Sequence, residues 1–233
     1  MTSPQVVSEQ RLLLVDLLRG AALLGILAVN CWFFASSWLR LGAPEPDVSS
    51  GADAVAYGLA VLLFATKSYL LFAFLFGVGF VLQEQAAQRA GADADFTARM
   101  RRRLLGLMVL GLLHGLLLYP GDILLLYGLL GFFLLAMRRT APATLVRRGI
   151  ALTATAAVLL GFLGLLSWTA PADVTAQDAA AIADQVRGSP SDVLAANLAD
   201  YGSALASVLF VQALPALAAM LVGMAAARSG YLR

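Results

Sequence analysis

The sequence predicts an all-α integral membrane protein, with about six transmembrane helices and both termini cytoplasmic. Three observations predict it. Hydrophobic residues fill 61% of the 233 positions and charged residues only 13%, about half the charged share of an ordinary soluble domain. The mean hydropathy is +0.83. The apolar residues also fall in runs far longer than the ~10 residues of a transmembrane strand, and they do not alternate. A soluble domain of this size needs a charged skin that this composition cannot make. With 16 Lys+Arg against 14 Asp+Glu the net charge is +2, so no bulk attraction to nucleic acid is implied. One cysteine, Cys31, excludes an internal disulfide and a cysteine-based metal cluster.

A bilayer core takes about 20 apolar residues in helix. Six stretches qualify, at about 17–39, 56–82, 104–119, 123–137, 149–170 and 203–226, and together they make one transmembrane domain over 1–233. The first carries Asp16 and Arg19 at its start and is too long for a cleavable signal, so it reads as an uncleaved signal anchor. The third and fourth are short, so either they borrow polar flanks or they form a hairpin buried among other helices. Segment 171–202 reads as an outer loop, with a short surface helix around 175–187.

The basic residues set the orientation. Segment 83–103 holds Arg89, Arg99, Arg101, Arg102 and Arg103, and segment 138–148 holds Arg138, Arg139, Arg147 and Arg148. Both are assigned to the cytoplasm. Segment 40–55, the tip at Pro120-Gly121-Asp122 and the acidic 171–202 segment face outside. Trp32, Trp38 and Trp168 read as anchors at the outer interface.

Ionisable residues inside spans are costly and tend to be paired or functional. Asp16, Arg19 and Asn30 lie on one stripe of the first span. At about 100° per residue, Arg19 and Asn30 fall within ~20° of each other. Taken blandly, Asp16 and Arg19 are an interfacial ion pair and Asn30 joins helices. Lys67, in the second span, either snorkels or pairs with a carboxylate, or else binds an anion. His114, in the third span, sits in Gly111-Leu112-Leu113-His114-Gly115, a pattern that also serves tight helix packing. Asp122 follows past the turn and is placed to fold back toward it. A histidine–carboxylate couple orients an imidazole as a general base. No metal site is expected, because one histidine and scattered carboxylates match no ligand spacing.

Three blocks carry a resemblance: RLLLVDLLRGAALLGILAVN from Arg11, KSYLLFAFLFGVGF from Lys67, and RRRLLGLMVLGLLHGLLLYPGDILLLYGLLGFFLL from Arg101. Together they resemble the YeiB-type family, also catalogued as domain of unknown function 418, over most of residues 11–139 and again around 221–233. The first block also resembles a wider group of transmembrane acyltransferases, among them heparan-α-glucosaminide N-acetyltransferase and, more distantly, acyltransferase family 3. In the heparan enzyme an active-site asparagine falls on Asn30. In acyltransferase family 3 the motif's arginine falls on Arg19 and its catalytic histidine falls on Asn30. The heparan enzyme uses a further histidine shortly after its asparagine. Residues 31–38 hold none here, which leaves His114. Family members usually run well beyond this length, so the chain is expected to be a fragment, a split product or a short variant.

The resemblance implies a multi-pass acyltransferase of the cell membrane. An acyl-CoA co-substrate would approach from the cytoplasm, held by Arg19, Asp16 and Lys67. His114, Asn30 and Asp122 would act on an acceptor at the outer face. The partners expected are membrane lipid, a small-molecule acyl donor and acceptor, and either a second copy of the chain or a missing C-terminal half. No permanently bound cofactor is expected. The alternatives are a transporter of a small anionic or lipidic solute and a non-catalytic membrane assembly subunit.

Overall fold

A computed structural model describes residues 4–35, 37, 51–169 and 174–230. Among them the chain is helical: α1 (Pro4–Ala35), α2 (Gly51–Arg89), α3 (Asp93–Leu117), α4 (Leu124–Ala136), α5 (Pro142–Thr169), α6 (Ala176–Arg187) and α7 (Pro190–Ser229). The second, α2, contains one π-helical segment, Val61–Ala65. No strand occurs among the described residues.

The helices α2, α5 and α7 are long and apolar enough to cross a membrane, and α4 is a shorter apolar helix. Large apolar side chains such as Ile150, Val158 and Phe162 on α5 point away from the bundle. An aqueous surface would not tolerate such a continuous apolar face, whereas lipid would. Where they are described, the six apolar stretches are mostly helical. The third stretch falls on α3, which begins at Asp93 and carries Arg101–Arg103 inside the helix. The fourth is the buried member, with Leu126, Tyr127, Leu130 and Leu134 inside the bundle. Segment 171–202 is mostly helical where it is described: it forms α6 and the first turns of α7. Trp168 is 83% exposed; Trp38 and the side chain of Trp32 lie outside the described residues, as does most of segment 40–55.

Local chemistry sets the helix ends. Gly91 adopts φ +67°, the left-handed turn that glycine takes without steric cost, and it lets α3 fold back along α2. Thr175 and Ser189 cap α6 and α7, each through a reciprocal box with Asp178 or Asp192. Pro190 starts α7, where its missing N–H costs nothing. Pro215 stands inside α7, and the helix runs through it.

Long α7 is the hub. It packs along α2 and α5 and also touches α3, α4 and α6, while α1 packs on α2 and its π segment. At the α2–α7 crossing, a Cβ on Gly77 would overlap the Met220 carbonyl, and one on Gly223 would overlap the Phe74 carbonyl. Helix association in lipid depends on such close backbone approach, because burial from water no longer drives it. The core around the crossing holds Phe80, Val81, Tyr127, Met220, Leu221 and Met224. The Tyr127 hydroxyl donates to the Tyr69 carbonyl at 3.0 Å.

Candidate functional site

Polar residues gather at the two ends of this bundle. The helix α3 stops at Leu117, and Pro120 turns the chain away. The Leu118 and Tyr119 N–H groups both donate to the His114 carbonyl, each at 2.9 Å. This tight exit brings Asp122 back beside the helix it has just left. Its Oδ1 lies 3.0 Å from His114 Nδ1, and its Oδ2 accepts the Leu125 N–H at 2.9 Å. The second bond anchors the carboxylate at the start of α4, a favourable place for an anion. Gly111 makes the fit possible, because a Cβ there would overlap the Leu125 N–H and crowd Asp122 Oδ2.

The two partners are unequally buried. The Asp122 side chain is 4% exposed and the His114 side chain 39%. If the shared hydrogen lies on Nδ1, facing the carboxylate, Nε2 keeps its lone pair. The arrangement can therefore orient an imidazole and leave one nitrogen available to move a proton.

The start of α7 completes this end. Tyr201 lays its ring where a Gly115 Cβ would stand, one residue from His114. Its hydroxyl is buried and makes no hydrogen bond within the structure, and Asp122 lies within its electrostatic reach. Asn197 is buried, and its amide donates to the Leu118 carbonyl at 3.3 Å. Reading along the sequence missed both. Their polar side chains stand in a segment taken for an outer loop, and nothing local ties them to His114.

The other residues singled out from the sequence lie elsewhere. Arg19 pairs with Asp16 at 3.2 Å, with side chains 37% and 69% exposed. A Cβ on Gly79 would overlap the Arg19 guanidinium, which lies across α2. Lys67 is exposed and donates to the Leu62 carbonyl in the π segment of its own helix. Arg19 and Lys67 thus meet α2 at points 12 residues apart, roughly 18 Å along the axis. Asn30 is half-buried on α1. The structure brings His114 to Asp122 and Arg19 to Asp16. Asn30 stays on α1, a helix that packs on α2, while His114 belongs to the junction of α3, α4 and α7.

At the opposite end, Glu84 and Arg228 form a buried pair at 2.9 Å, with side chains 11% and 16% exposed. Arg228 also donates to the Thr140 carbonyl at 3.0 Å and to the Arg138 carbonyl. Arg138 donates to Thr97 Oγ1 at 2.9 Å and stands 5.9 Å over the Phe96 ring. Glu84 was missed because it follows an apolar span directly and reads as loop. A lone acid there and a lone Arg in the last turn of another span were the available signal.

The chain is homologous to two bacterial proteins over most of its length. It is 31% identical over 247 aligned residues to the uncharacterized protein YeiB of Escherichia coli (strain K12), covering 96% of this chain and 57% of YeiB. It is 38% identical over 145 residues to the uncharacterized protein YxaH of Bacillus subtilis (strain 168), covering 60% of this chain and 36% of YxaH. An uncharacterized 39.9 kDa protein in the amylase 3′ region of Bacillus acidopullulyticus is 32% identical over 130 residues, 56% of this chain and 35% of that protein. The chain thus spans about half the length, or less, of the curated relatives it matches. No protein-family model matches it, and no solved structure does.

Proposed function

We propose that this chain is a multi-pass membrane protein of the YeiB type, with about six spans and both termini cytoplasmic. In this reading it moves an acyl group from a cytoplasmic thioester donor to an acceptor at the outer face. One observation carries the reading: an imidazole held by a buried carboxylate that is itself anchored on a backbone N–H. That is the build of an oriented general base. The acyl chemistry follows from the resemblance of the first span to membrane acyltransferases.

The acceptor's hydroxyl or amine gives its proton to His114 Nε2 as it attacks the thioester carbonyl. The carbon–sulfur bond breaks, and the thiolate leaves with a proton returned by the imidazolium. Asp122 stabilises that imidazolium through Nδ1–H. The buried Tyr201 hydroxyl, on a ring packed against Gly115, would donate to the developing oxyanion. Asn30, on α1, takes no step. Arg19 stands at the Arg-rich end, where a phosphate-bearing donor such as acyl-CoA would arrive.

The test is thioester turnover by the protein in proteoliposomes, with an amine or hydroxyl acceptor inside. His114→Ala should abolish transfer, and Asp122→Asn should lower it at least about tenfold, with the helical circular-dichroism signal retained. Unchanged transfer in His114→Ala would sink the mechanism. Solute flux without any acyl donor would favour transport instead.

A further inference from the structure

The Arg-rich end of the bundle carries a cleft of about 270 Å³. Glu84 and Gln88 line it from α2, Asp93 from the first turn of α3, Arg138 and Arg139 from beyond α4, and Arg228 from the last turn of α7. Four helix ends meet there because the apolar runs of α2, α4 and α7 all stop at this level. If those runs cross the bilayer, as proposed above, the cleft lies in the headgroup layer.

Glu84 neutralises Arg228. Three charges remain. Arg138 meets a hydroxyl and an aromatic face, and no carboxylate among the described residues. Arg139 and Asp93 are exposed, and neither is paired among the described residues. The cleft therefore offers two guanidinium groups that lack an anion and one carboxylate that lacks a cation. Guanidinium groups bind phosphate well through paired N–H donors. A carboxylate beside them would repel a purely anionic ligand and would hold an ammonium. A phosphate joined to a short amino-alcohol matches this arrangement of charges.

We propose that this cleft binds the headgroup of an aminophospholipid, with the phosphate on Arg138 and Arg139 and the primary ammonium on Asp93. This inference rests on the membrane placement and is independent of acyl transfer.

Native mass spectrometry of the detergent-solubilised protein, titrated with dioctanoyl phosphatidylethanolamine or dioctanoyl phosphatidylglycerol, tests it. The ethanolamine lipid should bind about threefold to fivefold more tightly, the scale of one partly exposed ion pair. Asp93→Asn should bring that ratio to about one, and Arg139→Gln should weaken both lipids. Both side chains are exposed, so neither variant disturbs packing. The proposal is overturned by an equal or stronger affinity for the glycerol lipid, by no measurable binding of either, by an unmoved ratio in Asp93→Asn, or by unchanged binding in Arg139→Gln. Thioester turnover is measured separately, so failure of this cleft and failure of the His114 mechanism are distinguishable.

Discussion

The two ends of the bundle each hold an acid–base pair, but they are built to different specifications. At the Arg-rich end both partners are mostly buried, and Arg228 spends its donors on Glu84 and two backbone carbonyls. Such a guanidinium has little left to offer a ligand. At the far end Asp122 is more deeply buried, yet His114 keeps more than a third of its side chain accessible. The first pair ties α2 and α7 to the turn after α4. The second holds one ring through Nδ1 and leaves its side chain partly exposed. Burial of one partner gives orientation; burial of both gives a clamp.

Mutations can break this contrast. The largest loss is expected for Glu84→Ala, which leaves Arg228 buried without its anion. Removing one member of a buried pair costs about 3–5 kcal/mol, read as thermal unfolding in detergent by circular dichroism. His114→Ala should cost less, about 1.5–3 kcal/mol, the scale of one hydrogen bond to a charged group, because Asp122 keeps the Leu125 N–H. Equal losses in the two variants would end the distinction between clamp and site.

Gly111→Ala sharpens the contrast from the packing side. Its Cβ would meet the backbone of Leu125, so α3 and α4 must part, at about 1–3 kcal/mol. It should also reduce transfer, since His114 and Asp122 ride on the two helices being separated. Asp16→Ala should move stability by less than about 1 kcal/mol, because that pair is largely exposed.

The smallest effect lies outside the apolar segments. Hydrogen bonds from the hydroxyls and N–H groups of Thr175 and Ser189 hold the Asp178 and Asp192 carboxyls below the ordinary 3.8. Their folded values are depressed, so their contribution is complete above the unfolded value and is lost as pH falls through the folded ones. Hydrogen exchange at the start of α6 and α7 should therefore quicken only below about pH 4. Asp192→Asn should remove that pH dependence from α7.

Some of the site was legible from the chain. His114 and Asp122 are eight positions apart around Pro120-Gly121, so a fold-back was a local inference. The pair Asp16–Arg19 follows from helical spacing alone. Glu84 and Arg228 are 144 positions apart, and no periodicity connects them. Tyr201 meets Gly115 from a distant segment whose composition suggested only a loop with a short helix. Arg19 and Asn30 both lie on α1. The helix on which they would act was beyond the sequence, and α1 packs on α2.

By itself the sequence determined the helical class, the positions of the apolar stretches and the candidate polar residues. Those depend on composition, spacing and the cost of exposing a backbone to lipid, all of which are local. Only the tertiary structure decided which polar residues meet and how buried each is. Close crossings at Gly77, Gly111 and Gly223 set those neighbours, and a crossing depends on both helices at once.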